Sequence, residues 1–163
     1  IDLEFYPALY TDGDEAGKLI TFAGHGFTGT FHTGYTEHDN KKRAGHNKIE
    51  YTERGVLVCN PTQGAGRTAL EYMISPGDSG GGMFIGNKLA GINSFLMARD
   101  KKPDGTYGDE SAFTRISLYA NWINSQIEKY ELFLAGKTTM GSDVNLEPPT
   151  FDLHLADTEI ILP

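Results

Sequence analysis

Ser79 lies in the run Pro76-Gly77-Asp78-Ser79-Gly80-Gly81-Gly82, which meets the backbone demands of a serine nucleophile. Glycine adopts unusual dihedrals and permits close approach, so a tight loop built on it aims several main-chain N–H groups at one point. Such a point binds an oxyanion, and the chemistry it suggests is attack by a serine hydroxyl on a carbonyl. The hydroxyl is a weak nucleophile at neutral pH and needs an imidazole to take its proton. No histidine and acid pair stands where it would serve Ser79, so the sequence reads as half of an active site. It also opens at Ile1 without an initiator methionine.

The elements that must hold this loop are read from composition and pattern. At 163 residues, 17.9 kDa and 39% hydrophobic, the chain supports one domain with a real core plus a tail. Twenty glycines, nine Phe and eight Tyr favour short strands joined by turns over a helical bundle, so the expected class is mostly β. A net charge of −8 and a pI near 5.0 argue against nucleic acid as a partner. The one basic cluster, Lys41-Lys42-Arg43, reads as a solvated turn. No apolar run has the length of a membrane span, and no charged start precedes an apolar signal region. Cys59 is the single cysteine, which excludes an internal disulfide and a cysteine zinc cluster. Beside Val56-Leu57-Val58 it reads as a small buried thiol, with a partner upstream as the alternative. No metal and no cofactor is expected.

Lys18-Leu19-Ile20-Thr21-Phe22-Ala23, bounded by Gly17 and Gly24, reads as a strand. Residues 25 to 47, dense in glycine, histidine and polar groups, read as a long surface loop. Regular structure is expected again over Lys48 to Val58 and over Thr68 to Ile74. After the serine loop, Gly82–Ile85 and Lys88–Ile92 flank Gly86-Asn87, a hairpin signal. Residues 99 to 110 are a charged loop, and Ala112–Ile116 a short strand. Ser117 is placed to cap a helix with Leu118, Trp122, Ile123 and Ile127 on one face, ending near Gly136. Beyond it the acidic stretch from Thr138 to Pro163 accommodates a linker, a disordered tail or the first strand of a further domain.

Four landmarks in order carry a family resemblance. Gly77-Asp78-Ser79-Gly80-Gly81, Ala23-Gly24-His25-Gly26, Leu89-Ala90-Gly91-Ile92-Asn93-Ser94-Phe95, and Phe113-Thr114-Arg115-Ile116-Ser117 with Asn121-Trp122-Ile123 resemble segments of the trypsin-like serine proteases. The resemblance covers about residues 17 to 130 and reaches only the second of that family's two antiparallel β-barrels and its C-terminal helix. It implies an inter-barrel linker over 1–16, the second barrel and helix over 17–135, and a tail or further segment over 136–163. The catalytic His and Asp would then come from a first barrel outside this chain. Thr21-Phe22-Ala23-Gly24-His25 faintly resembles the family's histidine motif, but the short separation of His25 from Ser79 leaves no room for the rest of the first barrel and the second. His32, His38 and His46 fit no motif, and Asp2 precedes the Gly24 landmark too closely to be the buried triad acid.

Carried over residue by residue, the resemblance makes Ser79 the nucleophile and the N–H groups of Gly77 and Ser79 the oxyanion hole. Asp78 becomes the candidate for an activation pair with the amine that zymogen cleavage releases; Ile1 is read as a coincidence in that role. The substrate pocket would have Met73 at its floor, Ser94, Phe95 and Leu96 in its walls, and Ser111 near its base. No carboxylate lies at the floor, which disfavours a cationic substrate side chain, because a buried cation without a partner is heavily penalised. Leu96, where a glycine would keep the pocket open, points to small or medium aliphatic side chains. A one-residue slip would bring Glu110 to the base and reverse this. Ser75 stands where the family has a disulfide cysteine, leaving the pocket less braced.

The resemblance thus implies a serine endopeptidase acting through an acyl-enzyme on Ser79, extracytoplasmic or secreted, with a peptide or protein substrate and a missing N-terminal barrel as partners. The alternative is a catalytically inactive homologue that binds a protein through its cleft. A plain glycine-rich hairpin loop and an esterase of the Gly-Asp-Ser-Leu type fit the flanking strands less well.

Overall fold

The first strand illustrates how the sequence dictates the sheet. In Leu19–Gly24 (β1) Ile20 and Phe22 point inward and are fully buried, while Leu19 and Thr21 face outward, the period-2 alternation of a strand with one solvated face. The computed structural model describes residues 6–137, 148 and 159–161. After β1 come β2 (Thr28–Thr30), β3 (Gly34–Glu37), β4 (Arg43–Lys48), β5 (Tyr51–Glu53), β6 (Val56–Cys59), β7 (Gly82–Ile85), β8 (Lys88–Ala98) and β9 (Asp109–Arg115). A 3-10 turn at Ile116–Leu118, the helix α1 (Ala120–Leu134) and a last strand β10 (Glu159–Ile161) complete the order.

The main sheet is antiparallel in the order β4-β1-β7-β8-β9-β6-β5, with β10 added to β8 and β2-β3 forming a separate hairpin. Its two end strands, β4 and β5, are joined only by Ile49 and Glu50, so the sheet must curl to bring its edges together. The mostly β expectation and the C-terminal helix are both met by this curled, barrel-like sheet. Its interior holds Ile20, Phe22, Ile49, Leu57, Cys59, Met83 and Phe113, with Phe22 and Phe113 edge to face at 5.4 Å. Val56, Val58, Phe95, Met97 and Ala112 form a second cluster on the other face. The Cys59 thiol is fully buried, and burial pushes its pKa up, which leaves it a packing residue.

The Gly86-Asn87 hairpin forms as expected, with Gly86 at φ +60°. Three expectations fail. The supposed surface loop over residues 25 to 47 contains β2, β3 and β4. β4 escaped notice because its inward positions are Gly45 and Asn47, not apolar residues. A Cβ on Gly45 would stand 2.4 Å from the Tyr72 side chain, and Asn47 donates to the carbonyls of Asn60 and Tyr72. Thr68–Ile74 forms no strand; it is tied to β4 by hydrogen bonds between His46 and the backbone of Leu70 and Tyr72. Ser117 caps no helix, since α1 begins at Ala120 after Tyr119 without a side-chain cap.

Ser117 instead donates to Glu15 at 2.6 Å, and Arg115 grips the same carboxylate with two nitrogens at 3.0 and 2.7 Å. This ties the segment before β1 to the end of β9. That segment also lies along β8, with Tyr10 N–H donating to Leu89 O and Leu89 N–H to Ala8 O. Helix α1, in contrast, buries only Ala120, and leaves Ile127, Tyr130 and Leu134 at 51%, 52% and 66% exposure. No described helix is long and apolar enough to cross a membrane.

The Glu15 carboxyl is wholly buried, which by itself would raise its pKa, but the hydrogen bonds from Arg115 and Ser117 outweigh burial and hold it below the usual range. A depressed folded pKa stabilises the fold above the unfolded value of about 4.3 and loses that contribution as pH falls through the folded value. Glu15→Ala is expected to cost about 3 kcal/mol, the low end for breaking a buried pair because Arg115 keeps part of its solvation. Urea titrations across the acid range should show this deficit at neutral pH and its disappearance toward low pH; a deficit that does not shrink would refute the assignment.

Candidate active site

The serine loop is organised around one buried carboxylate. Asp78 is 3% exposed, and its Oδ1 accepts the Gly26 N–H at 2.8 Å. Its Oδ2 accepts the Ser75 N–H at 3.0 Å and the Tyr72 hydroxyl at 3.2 Å. Ser75 Oγ lies 3.0 Å from the same oxygen and 2.8 Å from the Phe27 carbonyl, so its one proton serves both. Burial and the neighbouring Asp78 charge push the Tyr72 hydroxyl well above its usual pKa, which keeps it a donor. The Asp78 carboxylate is thus met by neutral donors; Ile1 lies outside the described residues.

This arrangement gives the Ala23-Gly24-His25-Gly26 segment a physical meaning. A Cβ on Gly24 would stand 1.8 Å from Asp78 Oδ1, and one on Gly26 would stand 2.4 Å from Ser75 Oγ and 2.7 Å from the Asp78 carboxyl carbon. Both glycines exist to let the end of β1 pass against the carboxylate. On the far side Asn93 of β8 clamps the loop. Its side-chain amide donates to the Asp78 carbonyl at 3.0 Å, its N–H donates to Gly81 O, and its carbonyl accepts from Gly80 N. Asn93 is 2% exposed, and its role is to position the loop. Neither role is marked in the sequence: Asn93 stands only within a landmark, and Tyr72 six positions before Asp78 in a stretch whose pattern suggests a strand.

Held in this way, the loop leaves Ser79 exposed, and Gly77 takes φ +97°. Among the described residues, the Ser79 hydroxyl makes no hydrogen bond, and the N–H groups of Gly77 and Ser79 donate to no acceptor. None of the described histidines pairs with Ser79. His25 Nδ1 contacts Asn40 O at 3.3 Å, His38 Nε2 contacts His25 O at 3.1 Å, His46 Nδ1 contacts Thr21 Oγ1 at 3.0 Å, and His32 packs on Tyr107. His154 and Asp2 lie outside the described residues.

A small depression beside Ser79 is lined by Tyr35, Ile74, Pro76, Ser94, Phe95, Leu96 and Pro103, with Ser75. Three of the expected pocket residues, Ser94, Phe95 and Leu96, therefore meet at the serine. Tyr35, whose hydroxyl donates to Pro103 O, closes the opposite wall and was not foreseen. Met73 is buried in the core and lines a larger, adjoining cavity with Phe31, Glu71 and Tyr107, which shares Tyr35, Ile74 and Ser75 with the depression. Ser111 is fully buried, its Oγ accepting the Ile74 N–H at 3.2 Å, which braces the irregular segment that carries Ile74 into the depression's wall. Glu110 accepts from Tyr51 and does not reach the depression, so no carboxylate lines it.

Gly24→Ala should lower stability by about 1–3 kcal/mol, the range for overpacking a close contact. The loss should appear as a lower urea midpoint together with faster exchange of the Gly80 and Gly81 amides; a neutral Gly24→Ala would mean that the carboxylate is not fixed against β1.

A comparison with curated proteins finds no match to this chain. The family model described as Trypsin matches residues 15–123, a span that takes in the glycine pair at the end of β1, the Asp78-centred loop, Ser79 and the β8 and β9 walls. With most of its length so matched, the chain belongs to the trypsin family.

Proposed function

We propose that this chain is the nucleophile-bearing half of a trypsin-like serine endopeptidase, in which Ser79 forms the acyl-enzyme and the N–H groups of Gly77 and Ser79 bind the oxyanion. The observation that carries the reading is an exposed hydroxyl at the mouth of an apolar depression, beside two main-chain donors that meet no acceptor among the described residues. Each such donor typically contributes about 3 kcal/mol to the transition state. In this division residues 1–16 are a linker between barrels, 17–135 the second barrel with its helix, and 136–163 a tail.

The general base and its orienting acid reside, in this reading, on an N-terminal barrel. Two features support that: no described imidazole pairs with Ser79, and Ile127, Tyr130 and Leu134 of α1 expose an apolar side that a neighbouring lobe would cover. Members of the family are often secreted, and an extracytoplasmic setting belongs to the proposal. The wall of Ile74, Pro76, Phe95 and Leu96, without a charged group, favours a small or medium aliphatic side chain before the scissile bond.

The test is a protein carrying both barrels, assayed on peptides that differ only at that residue. Hydrolysis should favour valine or alanine over arginine, and Ser79→Ala should reduce kcat by about a millionfold. The 163-residue chain alone should show no hydrolysis above background. Turnover by this polypeptide alone, abolished in Ser79→Ala, would place the base within it, and an inert two-barrel protein that still binds peptide would make it a binding homologue.

A further inference from the structure

The edge of β8 that faces away from β9 is divided into stretches. Lys88 to Ile92 pair with β7, and Asn93 is bonded to the Ser79 loop through Gly80 and Gly81. Leu96, Met97 and Ala98 pair with β10, in the register Ile161 to Leu96, Ile160 to Met97 and Glu159 to Ala98. Between them lie Ser94 and Phe95, where the β8–β9 register shifts by a bulge and where the depression beside Ser79 opens. Leu96 belongs both to the wall of that depression and to the β10 pairing.

β10 is antiparallel to β8, so it enters opposite Ala98 and advances toward Leu96, that is, toward the serine. An extended peptide that places a side chain in the depression and a carbonyl at Ser79 has one continuous row of backbone partners available, the same edge from Phe95 to Ala98. Addition of a strand to a free sheet edge is a general mode of peptide recognition, with main-chain hydrogen bonds supplying affinity. The opposite edge of these residues is already taken by β9.

We propose that this chain's own C-terminal strand, Glu159–Ile161, by pairing with the Leu96–Ala98 edge, occupies the approach to Ser79 and competes there with an incoming extended peptide. The competition rests on the peptidase reading; the strand pairing does not. Because the pairing is intramolecular, the tether gives β10 a high effective concentration that a free peptide must overcome.

The experiment compares the 163-residue chain with the double variant Ile160→Pro/Ile161→Pro and with a chain ending at Thr158. Proline removes the backbone donor, and the shortened chain controls for any other effect of the ring. Residue-resolved amide exchange should show those amides of Leu96–Ala98 that face β10 exchanging about tenfold faster in both variants, with Phe113 of β9 unchanged as an internal standard. A dye-labelled Ala-Ala-Ala-Val amide should bind both variants about tenfold more tightly than the intact chain. Unchanged exchange in both variants overturns the proposal, as does faster exchange with equal binding of the probe to all three chains. Failure of the peptidase reading registers separately, in the Ser79→Ala comparison of the two-barrel protein, and leaves the exchange result standing.

Discussion

The buried Asp78 carboxylate is the constraint around which this structure is arranged. A charge removed from water must be met by donors, and four protein groups on three residues do so: the Gly26 and Ser75 N–H groups and the hydroxyls of Ser75 and Tyr72. Those donors are brought to one place only if β1 ends in glycines, if Ser75 precedes the loop and if Tyr72 packs beneath it. Phe22 in turn meets the Tyr72 ring at 5.0 Å, linking the polar site to the core. The conformation of the serine loop is therefore a product of the barrel's interior.

From the other side the loop depends on β8. Asn93 satisfies the Asp78 carbonyl and exchanges backbone hydrogen bonds with Gly80 and Gly81, and one residue later the β8 register shifts. On the edge away from β9, Ser94 and Phe95 lie between the stretch paired with β7 and the stretch paired with β10. The clamp on the Ser79 loop, the residues that line the depression and the partners of β10 are thus successive positions along β8, from Asn93 through Ser94, Phe95 and Leu96 to Ala98.

Much of this was legible in the sequence where chemistry and pattern coincide. The serine loop, the Gly86-Asn87 hairpin, β1 and the helix after β9 all announce themselves through glycine placement or periodicity. β4 did not, because Gly45 and Asn47 occupy its inward positions and buried polarity defeats a hydrophobic count. Met73, placed at the pocket floor by the family resemblance, is buried and lines the cavity next to the depression, while Tyr35 and Pro103 reach the depression from distant segments. Ser117 looked like a helix cap, and its hydroxyl is instead spent on Glu15, a partner a hundred positions away that no local pattern reveals.

The apolar outer side of α1 has a colloidal consequence for the free chain. With Ile127, Tyr130 and Leu134 turned to water, dispersion in solution relies on mutual repulsion from a formal charge of −8. That repulsion reaches about 10 Å at 0.1 M ionic strength and about 3 Å at 1 M. Dilute buffer therefore keeps neighbouring molecules apart, and concentrated electrolyte brings their sticky flanks together.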